Sequence, residues 1–337
     1  MGSLYGIDPR AIRERLGLEK DYQARQIWRW LAKGVYDPLR MTDLSLALRQ
    51  SLAGGGSFIS SEVVARSTDE TGAVKLGVRM EDGQVVECVL LRSESGHTAA
   101  CLSSQSGCAM GCRFCRTGTM KLLRNLRPYE IIEQYIHLMN LGEEIDSIVF
   151  MGMGEPLANL PNVLEAISYL HNPDGINLSH RKMTVSTCGV VPGIRQLCRA
   201  DVPVKLAVSL VTAIQSKRES LMPVARTFGL GALHDALVQY QKHFGRRITF
   251  ECCLISGINT TDADARRLAE YCAGLDVIVN LIPYNPGAEL DFSTPTDEEL
   301  ERFCSALDRL GVQYTRRFSR GRGISGACGQ LAVSYRD

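Results

Sequence analysis

The sequence predicts an α/β protein built on a partial (β/α)6 barrel, with a helical N-terminal domain and a small antiparallel sheet ahead of it. Three observations carry this. From residue 98 onward, short apolar runs alternate with stretches of helical length. Those runs are too uniformly apolar for strands with a solvated face and suit a parallel sheet. Residues 58–92 instead group their apolar residues in a strand-like alternation, with turn signals at Asp69–Gly72 and Asp82-Gly83, as antiparallel strands do.

Residues 1–53 read as helices. Pro9 opens the first; Tyr22–Lys33 carries Ile27, Trp28, Trp30 and Leu31; Thr42 is placed to cap a third, with Leu44, Leu48 and Leu52 on one face. Trp28 and Trp30 cannot both face the core of one ideal helix, so one is expected outside, for stacking or docking, unless the segment is a plain helical cap. Gly54-Gly55-Gly56-Ser57 reads as a linker to a β extension over residues 58–97. The barrel spans residues 98–310, with strands at Ala99–Leu102, Ile145–Phe150, Met183–Val185, Val204–Leu210, Ile248–Ile255 and Val277–Pro283. Helices are expected between and after them, at Pro128–Leu141, Leu160–Leu170, Val191–Cys198, Gly231–Phe244, Asp262–Leu275 and Asp297–Leu310. Six such units are too few for a closed eight-stranded barrel. An open one presents its active face at the carboxyl ends of its strands. Residues 311–337 hold an edge strand, Val312–Phe318, and a glycine-rich loop.

With 337 residues, 45% of them apolar, the chain has ample material for a core, and no apolar run of about 18 residues points to a membrane span. The start, MGSLYGIDPR, lacks the apolar centre of a signal peptide, so a cytoplasmic, reducing compartment is expected. Twelve cysteines there argue for metal or redox chemistry. Cys88, Cys188, Cys198, Cys252, Cys253, Cys272 and Cys304 lie in apolar surroundings and read as small core residues. A net charge of +1 names no partner. Arg316, Arg317, Arg320, Arg322 and Arg336, with Asp337 the sole acid nearby, suit a phosphate-bearing one.

Chemistry concentrates in Cys101–Cys115, CLSSQSGCAMGCRFC, where Cys108, Cys112 and Cys115 follow a C-x3-C-x2-C spacing. A closed zinc site takes four protein ligands. Three thiolates on one loop suit an iron–sulfur cluster with one iron left open, and Gly107 and Gly111 permit the tight turn. Met151-Gly152-Met153-Gly154-Glu155-Pro156 follows a buried-type strand; its glycines allow close approach of a ligand and Glu155 can accept from an ammonium group. Ser186, Ser209 and Asn285 fall at strand ends. Glu87 sits on the last strand of the small sheet, a position that pattern alone leaves as a solvated face. Cys328 lies on a small-residue loop, and with Cys101 at the barrel mouth a two-thiol mechanism is available: one accepts a group and the other releases it as a disulfide.

The cysteine loop resembles that of the radical S-adenosylmethionine (SAM) superfamily. The chain further resembles the RlmN/Cfr methyltransferases over nearly its whole length, on ARQIWRWL, MTDLSLALR, VKLGVRMEDGQVVECVL, CLSSQSGCAMGCRFC, RNLRPYEII, VFMGMGEPLAN, MTVSTCGVVP, VNLIPYNP and ACGQL. The resemblance implies a 4Fe-4S cluster on Cys108, Cys112 and Cys115, with SAM held by Gly154, Glu155, Ser186, Ser209, Leu210, Val211 and Asn285. It implies two SAM per turnover: one methylates Cys328, and the other yields a 5′-deoxyadenosyl radical that takes hydrogen from the S-methyl group. The methylene radical then adds to an adenine carbon, Cys101 resolves the adduct, and Glu87 or Cys101 removes the ring proton. The implied substrate is 23S rRNA, at adenine C-2, with tRNA a second candidate; flavodoxin or ferredoxin is the implied electron donor, and a monomer is expected. The chain departs from the family pattern at Val211 (usually His), at Lys121 (usually Gly), and at Arg322, Gly323 and Ser325 (commonly acids), which leaves room for a paralogue acting at C-8 or on another RNA. Rival readings are a radical SAM enzyme acting on a protein or small molecule, and an iron–sulfur redox protein without a substrate.

Overall fold

Local capping chemistry sets the N-terminal helices of the computed structural model, which describes residues 2–286, 290–317 and 320–332. In α1 (Pro9–Leu16) the Asp8 carboxylate accepts the Ala11 N–H at 2.8 Å, and Gly17 ends the helix with φ 62°. Helix α2 (Asp21–Ala32) buries Ala24, Ile27, Trp28 and Leu31 along one stripe. Trp30 is the outer tryptophan: its indole N–H donates to Asp43 and the Lys33 ammonium lies 5.3 Å over its ring. Helix α3 (Leu46–Ala53) starts later than its leucine spacing suggests. Ser45, not Thr42, presents its hydroxyl to a free amide, that of Leu48.

The strands are β1 (Glu62–Thr68), β2 (Val74–Arg79), β3 (Val85–Arg92), β4 (Thr98–Cys101), β5 (Gln105–Ser106), β6 (Arg124–Asn125), β7 (Ser147–Phe150), β8 (Met183–Thr187), β9 (Lys205–Ser209), β10 (Ile248–Leu254), β11 (Val277–Pro283) and β12 (Tyr314–Arg316). β5 and β6 form a separate antiparallel pair. The other strands form one ten-stranded sheet, ordered β1-β2-β3-β4-β7-β8-β9-β10-β11-β12. β1 to β4 pair antiparallel, and from β4 to β12 every pairing is parallel. The N-terminal strands therefore extend the barrel sheet: β3 covers the outer edge of β4, with Val89 opposite Cys101. β12 closes the other end within the expected edge segment, of which Phe318 lies outside the described residues.

The remaining helices are α4 (Arg116–Thr119), α5 (Pro128–Met139), α6 (Leu160–His171), α7 (Val191–Arg199), α8 (Gln215–Leu221), α9 (Val224–Thr227), α10 (Leu230–Phe244), α11 (Asp262–Cys272) and α12 (Asp297–Arg309). Short α8 and α9, between β9 and α10, lack the length for a periodic signal and were not legible in the sequence. The N-terminal helices dock on the barrel through Tyr5 and Trp28, whose rings meet Tyr169 of α6 edge-on at 6.3 and 6.0 Å. Below them the buried Glu133 carboxylate accepts the Ser60 and Ser61 amides, each at 2.9 Å. Among the described residues no helix is long and apolar enough to cross a membrane.

Gly107, at φ 79°, lets the cysteine loop pass so close to the next segment that a Cβ would collide with the Lys121 carbonyl. Gly107→Ala should destabilise the fold by about 1–3 kcal/mol. Thermal unfolding checks this, and an unchanged melting temperature would contradict the close approach.

Candidate active site

Parallel strands all end on one edge, so the side chains after β4, β7, β8, β9, β10 and β11 converge. They enclose a cavity of about 170 Å³ lined by Cys108, Cys112, Cys115, Gly154, Glu155, Ser186, Ser209, Val211, Asn285 and Cys328, residues that are scattered along the chain. The cysteine loop is a tight coil: the Cys115 amide donates to Cys112 at 3.1 Å and the Gly118 amide to Cys115 at 2.9 Å. A Cβ on Gly118 would run into the Cys112 backbone. Burial pushes the Cys108 thiol up to about 11, with Cys115 adding; it raises Cys112 further, with Cys115 and then Cys108 adding. The three thiols are thus near enough to feel one another's charge.

Among the described residues no three His, Cys, Asp or Glu side chains converge on a single metal ion. A four-iron cluster has no such requirement, because its thiolates sit on different irons. Three soft donors on one loop beside an open cavity fit that group better than zinc, which takes four ligands around one ion.

Glu155 is buried, and its carboxylate accepts the Leu157 amide at 3.0 Å and the Cys188 amide at 2.8 Å. Burial raises its pKa and these donors oppose the rise. Its own amide donates to Gln105 at 2.8 Å, and Gly154, at φ 100°, has no room for a Cβ beside Gln105. Ser186 and Ser209 line the cavity as expected. Leu210 does not line it: its side chain is fully buried, its amide donates to the Glu251 carbonyl at 3.1 Å and its carbonyl accepts from Arg218. Val211 lines the cavity with φ 64°, a strained conformation for a β-branched residue. Asn285 clamps the C-terminal loop, donating to the Cys328 carbonyl at 3.1 Å and accepting from Arg322 at 2.7 Å.

A second cavity, of about 300 Å³, adjoins the first; His97, Cys101, Arg317, Arg320 and Leu331 line it. Cys328, Cys115, Met151, Gly152, Ile282 and Gly329 line both. The loop carrying Cys328 is seated on the cysteine loop: the Arg116 amide donates to Gly329 at 2.8 Å and the Thr117 hydroxyl to Leu331 at 2.6 Å. All twelve cysteines are free thiols, so Cys101 and Cys328 face the same cavity unpaired. Burial pushes Cys101 up to about 12, with Cys328 adding and Arg317 opposing. Close packing likewise raises the Cys328 thiol, although the residue keeps an exposed side; Arg317 lowers it.

Glu87 is not on a solvated face. It is wholly buried, 3.0 Å from the Lys75 ammonium, and lines neither cavity. Burial raises its carboxyl, while Lys75 and the Ala332 backbone oppose. Lys75 also donates to the Ser325 carbonyl at 3.4 Å, which ties the pair to the C-terminal loop. The arginines thought to face only Asp337 have partners elsewhere: Glu301 for Arg316 at 2.5 Å, Glu251 for Arg317 at 4.0 Å and Glu94 for Arg320 at 2.7 Å. Arg336 lies outside the described residues. Sequence reading missed Gln105 and Glu251, and took Cys188 and Cys253 for plain core although both line the first cavity. Glu251 had one signal, the only charged residue inside the largely apolar strand β10.

The Radical SAM superfamily profile matches residues 102–215. A probable dual-specificity RNA methyltransferase RlmN from Treponema pallidum is 40% identical over 98% of this chain and 97% of its own. Dual-specificity RNA methyltransferase RlmN 2 from Myxococcus xanthus is 44% identical over 96% of this chain and 87% of its own. The chain belongs to the RlmN family of radical SAM RNA methyltransferases. A crystal structure of a radical SAM methyltransferase from Sphaerobacter thermophilus superposes on this RlmN-family chain with a TM-score of 0.92, at 39% identity, covering 98% of this chain and 99% of that one. The radical SAM family implies a 4Fe-4S cluster and SAM, and the three-thiol cavity fits both.

The two facing thiols differ in access. Pulse alkylation followed by peptide mass spectrometry should label exposed Cys328 about tenfold or more faster than Cys101, which is 7% exposed and keeps its proton at neutral pH. Equal rates would mean that Cys101 does not sit behind the loop.

Proposed function

We propose that this chain methylates carbon 2 of an adenine in 23S rRNA, and in tRNA as a second substrate, by way of a methyl group carried on Cys328. The observation that carries this reading is the placement of one thiol, Cys328, in the wall between two cavities. The names of the relatives, which give RlmN a dual specificity toward RNA, support a second RNA substrate. Cys108, Cys112 and Cys115 would hold the cluster, and Gly154, Glu155, Ser186, Ser209, Val211 and Asn285 would surround SAM. When bound, these groups supply methyl transfer and one-electron hydrogen abstraction, with two SAM consumed per turnover.

The chain's own residues divide the rest. The first cavity is the cofactor side and the second the side of the target base. Cys328 holds the methyl group as a thioether, so that its carbon, once activated, bonds to the adenine ring. Cys101, deprotonated, then attacks the Cys328 sulfur; the S–C bond breaks as the disulfide forms, its electron pair stays on the former methylene, and a proton taken up there makes the new methyl group of the base. Two groups can accept the ring proton. Glu87 reaches the cavity only if its ion pair with Lys75 opens; Cys101 lines it and, once ionised, is the nearer acceptor. Arg317 and Arg320, at the second cavity, offer positive charge to RNA phosphates. A flavodoxin or ferredoxin as donor, a monomeric state and a cytoplasmic location complete the reading.

Cys328→Ala should yield neither methylated RNA nor an adduct. Cys101→Ala should stall with RNA bonded through Cys328, seen on a denaturing gel as ribonuclease-sensitive mass. Methylated RNA made normally by Cys101→Ala would refute the resolving role.

RNA affinity should fall steeply with salt, and Arg317→Ala with Arg320→Ala should make the slope of log affinity against log salt shallower by roughly one to two units. A filter-binding titration across salt concentrations measures it, and an unaltered slope would remove these arginines from the RNA contact.

A further inference from the structure

Arg218, on α8, is the largest fully buried side chain among the described residues. Its Nε donates to the Leu210 carbonyl at 3.1 Å, and Nη2 donates to the Cys188 carbonyl at 2.7 Å and the Ser209 carbonyl at 3.4 Å. Nη1 is buried without a partner, and among the described residues no carboxylate lies within ion-pair distance of the guanidinium. Carbonyl dipoles alone are a poor substitute for a counter-ion, so a buried arginine of this kind carries an unbalanced charge.

Two of the three groups that act on that charge are thiols. Cys188, Tyr271 and Cys112 are the groups whose charge would act on Arg218. Cys188 packs with Leu221 and Met222 in one apolar cluster against Cys112 and Phe114 of the cysteine loop. The same helix is bonded to that loop, the Arg113 amide donating to the Leu221 carbonyl at 2.9 Å. Cys112 carries no net charge as a thiol; as a cluster ligand it is a thiolate, and a cluster held by three thiolates is negative, more so when reduced.

We propose that Arg218 is the built-in counter-charge of the three-cysteine iron–sulfur site, a fixed cation behind Cys112 that favours the reduced cluster. This rests on the cluster reading of Cys108, Cys112 and Cys115. Three carbonyl bonds hold the guanidinium in place, so its charge cannot swing to solvent when an electron arrives. The electron comes from the external donor, or from dithionite in a titration, and no proton need accompany it.

The test is an anaerobic redox titration of the cluster-loaded protein, followed by electron paramagnetic resonance, beside iron analysis of each variant. Arg218→Gln removes the charge, and Arg218→Lys keeps it while losing the forked carbonyl contacts. The electron affinity of the cluster should fall at least about tenfold in Arg218→Gln, a drop of about 59 mV for one electron, and should return close to the parent value in Arg218→Lys. Loss of iron from Arg218→Gln with retention in Arg218→Lys also supports the proposal. An unchanged potential in Arg218→Gln, failure of the lysine to restore it, or equal loss of iron from both variants overturns it and leaves Arg218 as a backbone brace. A parent protein that binds no four-iron cluster fails differently, since it removes the cluster reading itself.

Discussion

The C-terminal loop rests on the cysteine loop through two bonds, Arg116 amide to Gly329 carbonyl and Thr117 hydroxyl to Leu331 carbonyl, while Asn285 holds the Cys328 carbonyl. These contacts join the last described stretch of the chain to the carboxyl edge of the barrel. They decide that Cys328 belongs to both cavities. Without them the first cavity would lack an outer wall and the second would be an open groove beside Cys101. All three bonds end on backbone carbonyls of the loop, so the seating depends on the path of the loop more than on the loop's own side chains. Gly329, at φ 81° and close against Phe114, is one position where that path needs a glycine.

Beneath this loop lies a layer of buried charge. Glu87 and Lys75 pair where both are almost fully enclosed, and Lys75 reaches on to the Ser325 carbonyl. Such a pair is a weak source of net stability but is expensive to break from one side. Its effect here is geometric: it ties β2 and β3 to the loop that carries Cys328. β2 and β3 are therefore part of the site, although of their side chains only Leu91 lines either cavity. Glu251 and Arg317 form a second charged contact at the boundary between the two cavities. Glu251 sits in register with Ser209 on one side and Asn280 on the other, so strand pairing alone sets its place.

Family membership and geometry support one another at the cysteine loop. Its three thiols share a coil that glycine alone permits at residue 118, and the thiols lie near enough to influence one another's ionisation. Burial of uncharged thiols in this way is unfavourable to thiolate formation. A positively charged iron–sulfur core reverses that balance when it binds, because a metal deprotonates a coordinating thiol outright. Glu155 is tolerated in the wall for a local reason: it is enclosed, yet two backbone amides supply its hydrogen bonds.

Much of this was legible in the sequence. Apolar runs separated by helical periods located the barrel strands to within a few residues, because strands buried on both faces admit few polar side chains. The C-x3-C-x2-C spacing and the Gly154-Glu155 turn marked two walls of the cavity, since close backbone approach leaves glycine as a visible trace. Other features depend on distances that no local pattern encodes. The arginines of the C-terminal segment looked unopposed because Glu94, Glu251 and Glu301 lie far from them in sequence. Glu87 looked solvated because its covering loop arrives 238 residues later, with Ser325 held by Lys75. Arg218 resembled any basic residue of a short helix until the fold enclosed it behind Cys188. Spacing and apolarity determined which elements form and where the cysteine loop begins; only tertiary packing decided which charges lose their water, because desolvation depends on what covers a group rather than on its neighbours in the chain.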